Sequence, residues 1–85
     1  MSNKSKLLES ILSGKQDKNI KFSDLQKLLK MLGFSYRTKG DHFIYTSNEV
    51  NEIINIQPNG KMAKPCQIKQ IRNILIEYAL EDKDV

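Results

Sequence analysis

With 85 residues, 39% of them apolar and 28% charged, the chain has material for a single domain spanning 1–85, built around one modest core. No apolar run approaches the roughly 20 residues of a membrane span, the basic start "MSNKSKLLES" lacks a signal-type apolar region, and the lone Cys66 excludes an internal disulfide or a cysteine-built zinc site. The chain therefore reads as intracellular, and its formal net charge of +4 favours an anionic partner.

Leu7, Leu8, Ile11 and Leu12 follow the spacing of a helical stripe, and Gly14 is placed to end that helix. "KQDKNIK" reads as a polar loop. In "KFSDLQKLLKMLGF" the pair Ser23 and Gln26 has the capping-box spacing. Leu25, Leu28, Leu29 and Leu32 form the apolar stripe of this second helix, Lys27 and Lys30 face outward, and Gly33 ends it.

From Phe34 the period changes to two, with Phe34, Tyr36 and Thr38 on one face and Ser35, Arg37 and Lys39 on the other. Gly40 and Asp41 supply a turn. A second strand over 42–46 then puts His42, Ile44 and Thr46 opposite Phe43 and Tyr45. "SNEVN" is another turn, and "EIINIQP" a third strand stopped by Pro58. "NGKMAK" is a loop with an Asn-Gly turn signal. Pro65 opens a last helix whose apolar stripe is Ile68, Ile71, Leu75 and Tyr78, with Ile74 adjoining and Lys69, Arg72 and Asn73 on a more polar face.

The order predicts an α+β fold: an antiparallel three-stranded meander with helices covering one face. Its α-β-β-β-α part has the order of a double-stranded-RNA-binding domain, preceded by an extra N-terminal helix. There is no internal repeat and no interdomain linker.

The positive charge is concentrated. Residues 25–40 hold Lys27, Lys30, Arg37 and Lys39 without an acid, and residues 53–76 hold Lys61, Lys64, Lys69 and Arg72 without one. The end, "EYALEDKDV", is acidic. If the two basic tracts meet in space they attract a polyanion; otherwise they are a solvated lysine-rich surface.

His42 is the only histidine, and with the thiol the only group suited to proton transfer near neutral pH. RNA transesterification needs a base for the 2′-hydroxyl, an acid for the leaving 5′-oxygen and cations for the phosphate; no metal ion is required. The alternative is a strand histidine whose ring packs on the sheet. Asp41 and Glu49 lack any metal-ligand spacing with His42, so no metal or other cofactor is expected. No serine triad, phosphate-binding loop or dinucleotide fingerprint occurs. Cys66 lies near Lys64 at a helix start, where a thiol can be activated, but it has no second histidine to pair with. "KMAKPCQIKQIR" combines mobile lysines with a helix N-terminus, which suits a phosphate. Tyr36 and Tyr45 are candidates either for stacking on bases or for the core.

Taken together, "FSDLQKLLKMLGF", "RTKGDHFIYT" and "INIQPNGKMAKPCQIKQIRNIL", in this order and spacing, resemble the HicA family of toxins from type II toxin–antitoxin systems, over about residues 7 to 78. The resemblance implies a bacterial cytoplasmic endoribonuclease that cuts mRNA and inhibits translation, with a HicB-like antitoxin as protein partner. The family's essential histidine maps onto His42. The candidates for holding RNA phosphates, from charge placement, are Lys39, Lys61, Lys64, Lys69 and Arg72. Where the family has serine this chain has Asp41, a carboxylate that favours imidazolium and repels a phosphate, and so a tuning residue. The alternative is a catalytically weak or inactive module of the same fold that binds RNA or the antitoxin. Oligomeric state is left open.

Overall fold

The structure is a computed structural model that describes the backbone of residues 3–78 and side chains from residue 6 onward. The acidic residues Glu81, Asp82 and Asp84 lie outside the described residues. The elements run α1 (Asn3–Ser13), α2 (Phe22–Met31), β1 (Ser35–Lys39), β2 (His42–Ser47), β3 (Val50–Ile56) and α3 (Pro65–Glu77). The strands form one antiparallel sheet in the order β1-β2-β3. This is the expected α+β architecture, with the helix-helix-strand-strand-strand-helix order.

Register decides what each face carries. Lys39 pairs with His42, Tyr36 with Tyr45, and Tyr45 in turn with Ile54. Because side chains alternate, Phe43, Tyr45, Ile54 and Ile56 point to the helices, while Lys39, His42, Ile44 and Asn55 share the opposite face. Tyr45, Ile54 and Ile56 join Leu25, Leu28, Leu29 and Leu32 of the α2 stripe and Ile68, Ile71 and Leu75 of α3 in one core. No polar or charged residue is buried among the described residues. Each fully buried aliphatic side chain here contributes roughly 1.5–3 kcal/mol. Burial pushes the Tyr45 phenol up in pKa, and the phenol hydrogen-bonds the Gln26 side chain.

That bond marks a correction to the expected capping box. The N-cap of α2 is Lys21, with no side-chain cap, and Ser23 lies within the helix. The amide of Phe22 donates instead to the Lys61 carbonyl at 3.0 Å, and Ala63 donates to Ile20 at 2.8 Å. Backbone from the loop before α3 thus satisfies the first amide of the helix, and Gln26 is left to meet Tyr45. Strand β1 also starts a residue later than expected, at Ser35, because Phe34 turns into the core.

The N-terminal helix is fastened to α3 through Arg72. Its Nη1 donates to the Ile11 carbonyl at 3.0 Å and to both Asp17 oxygens at 3.0 and 3.1 Å. Gly14 (φ +74°) makes this approach possible, since a Cβ there would come within 3.1 Å of Arg72 Nη1. Charge-assisted bonds of this kind, with one acceptor left buried when they are lost, are worth about 1–3 kcal/mol. Arg72→Ala should therefore lower unfolding free energy by about that amount in urea titration, and Gly14→Ala should also destabilise. An Arg72→Ala variant as stable as the parent would show that the contact contributes nothing.

Candidate active site

The Gly40–Asp41 turn delivers His42 to the open face of the sheet, at the first position of β2. Its side chain is 46% exposed. His42 Nδ1 and Asn55 Oδ1 lie 3.0 Å apart across the β2–β3 pair. An amide oxygen only accepts, so Nδ1–H donates, and in the neutral ring Nε2 then carries the lone pair. The nearest ionisable partner of Nε2 is Asp41, whose Oδ1 is 3.9 Å away. The imidazole is therefore oriented from one side and accessible at the other.

Asp41 belongs to a second chain of contacts. Gln57 Nε2 donates to Asp41 Oδ2 at 2.6 Å, and Lys64 Nζ donates to Gln57 Oε1 at 3.1 Å. Gln57 is fixed in turn by α3, because its backbone amide donates to Gln67 Oε1 at 3.1 Å. One amide side chain thus joins the β1–β2 turn to the start of α3. The Gln57 hydrogen bond holds the Asp41 carboxyl below its ordinary pKa, helped by its own backbone amide and by the charges of His42 and Lys64.

The five basic candidates separate into four places. Lys39 faces His42 across the β1–β2 pair, and Lys64 reaches the same region through Gln57. Lys61 lies on the loop that meets the start of α2. Lys69 lines a cavity of about 300 Å³ that it shares with Cys66 and two acids, Glu52 and Glu77. Arg72 is engaged by Asp17 and Ile11, as described above. Of the two tyrosines, Tyr45 is buried and Tyr36 is 54% exposed.

Three members of the site were not expected from the sequence: Asn55, Gln57 and Gln67. The signal that could have found Asn55 is parity, since it shares the open face with His42 once β2 and β3 are paired. Gln57 and Gln67 carry no local mark. No group of three or more His, Cys, Asp or Glu side chains among the described residues could hold a metal ion, and no described helix is long and apolar enough to cross a membrane.

What the fold and site define is a small α+β domain with one oriented, exposed imidazole beside a carboxylate–amide–ammonium chain. Comparison with protein-family models, curated proteins and solved structures returns no match.

The Gln57 bridge makes a checkable statement about Asp41. A carboxyl whose pKa is depressed in the folded state stabilises that state above the ordinary aspartate range, and the contribution disappears as pH falls through the folded value. Gln57→Ala should move the Asp41 pKa upward toward the ordinary value in an NMR titration of its carboxyl carbon. An unmoved titration would mean that the bridge does not hold the charge.

Proposed function

We propose that the protein is a metal-independent endoribonuclease with His42 as its proton-transfer residue, acting on mRNA as the toxin of a toxin–antitoxin pair. The observation that carries this reading is the orientation of the His42 ring on a half-exposed side chain: Nδ1 is engaged by Asn55, and Nε2 lies 3.9 Å from Asp41. The resemblance to HicA toxins supports it, because His42 stands where that family has its essential histidine.

Nε2 takes the proton of an RNA 2′-hydroxyl as the 2′-oxygen attacks phosphorus. The P–O5′ bond breaks as the P–O2′ bond forms, leaving a 2′,3′-cyclic phosphate, and the leaving oxygen takes its proton from solvent at this open site. Asp41 stabilises the imidazolium that results, while Lys39 and Lys64 offset the charge of the phosphate. The price is repulsion between Asp41 and the substrate, which keeps the rate below that of a site with a neutral residue in the turn. A HicB-like antitoxin covering this face would block the same histidine.

His42→Ala should lower cleavage of a long mRNA by about 100- to 10,000-fold, the scale of a general acid or base, with the fold unchanged by circular dichroism. Asn55→Ala should cost up to about 100-fold in turnover through misorientation of the ring. Cleavage that survives His42→Ala would refute the assignment. If the parent cuts no RNA at all, the surface is a binding module for RNA or the antitoxin.

A further inference from the structure

A second surface feature has no part in the proton transfer. The backbone bonds that join residues 20–22 to 61–63 also shape an open groove of about 500 Å³, lined by Lys21, Phe22, Gln26, Lys61 and Met62 among others. Among the described residues, no acidic one lines it. The Phe22 ring meets Phe43 edge-on with centroids 5.2 Å apart, and Phe43 lies 5.8 Å from Tyr36. Tyr36 stacks on Tyr45 at 5.0 Å with the rings inclined by 30°. Tyr45 is anchored by burial and by Gln26, which itself lines the groove.

Tyr36 is therefore a ring backed by a buried neighbour and yet 54% exposed. A large, pre-positioned aromatic at the surface is a stacking platform, since little rotamer freedom remains to be lost on binding. The two lysines of the groove add positive charge close to the same aromatic row.

We infer that Tyr36 and this groove bind single-stranded RNA, with one nucleobase stacked on Tyr36 and neighbouring phosphates held by Lys61 and Lys21. The combination of an exposed ring and cations suits unpaired nucleotides, whose bases are free to stack, and disfavours a duplex, whose bases are not. The inference rests on the nuclease reading for its class of ligand, and it adds a second contact region to the one at His42.

The test uses the His42→Ala protein, which leaves RNA intact, and a single-stranded oligouridylate of six nucleotides. The chain has three tyrosines and no tryptophan, so tyrosine emission can be followed directly. Stacking should quench that emission and shift the Tyr36 ring protons in NMR spectra. Tyr36→Leu should weaken binding roughly 5- to 150-fold, the range for loss of one stacked base. Lys61→Gln should reduce the salt slope of the affinity by about 0.7, as expected for one phosphate contact to a single strand. Binding that leaves Tyr36 unaltered, or equal binding of an RNA duplex, would overturn the inference. So would equal competition by an acidic peptide, which would assign the lysines to a protein partner. Cleavage by the parent is measured alongside. A parent that cuts RNA while Tyr36→Leu binds normally removes the stacking site alone. A parent that stacks the oligonucleotide but cuts nothing removes the nuclease reading alone.

Discussion

The pairing of Lys39 with His42 across a two-residue turn is the constraint on which the other features depend. It fixes the register of β1 against β2. A slip of one residue would send Tyr45 and Phe43 to solvent and bring His42 and Ile44 against the helices. The loss of Tyr45 from the core would be large, because it lies between the α2 stripe and β3 with its phenol already satisfied by Gln26. The hydrophobic core therefore positions the imidazole without touching it. The same alternation that buries one side of β2 presents the other.

The hydrogen bonds of the open face join residues 7 to 16 positions apart in sequence. His42 reaches Asn55, and Asp41 reaches Gln57, which reaches Lys64 and Gln67. None of these groups is buried, so each bond contributes little to global stability. Their effect is geometric: they restrict how the turn, the end of β3 and the start of α3 sit relative to one another. Arg72 shows the opposite use of a cation. Half-enclosed between α1 and α3, it holds the fold together through Asp17 and the Ile11 carbonyl.

The elements were legible because each rests on a local pattern. The leucine stripe of α2, the switch to period two at Phe34 and the Pro65 start of α3 all lie within short windows of sequence. The start of α2 was misread because a polar pair at capping-box spacing, Ser23 and Gln26, competes with a backbone partner at Lys61 that no local pattern announces. The site was legible only in His42 and the turn beside it. Asn55 and Gln57 depend on strand register, and Arg72 looked like part of a basic patch because Asp17 is distant in the chain. Charge spacing along α3 could not reveal that Lys69 would share a cavity with Glu52 and Glu77.

The joins between the two ends of the described chain also set an order on its synthesis. Ile20 and Phe22 find their backbone partners at Ala63 and Lys61, and Ile11 and Asp17 find theirs at Arg72. A ribosome making this protein emits α1, α2 and the whole sheet before the partners that fasten the helices exist. Helix α1 and strand β3 have no α3 to pack against until that last helix has emerged. The imidazole, the carboxylate and the ammonium at Lys64 all precede α3, and only the Gln67 contact that fixes Gln57 waits for that helix. A nascent chain stopped short of α3 would carry His42, Asn55 and Gln57 but not Gln67, which accepts from the Gln57 backbone amide.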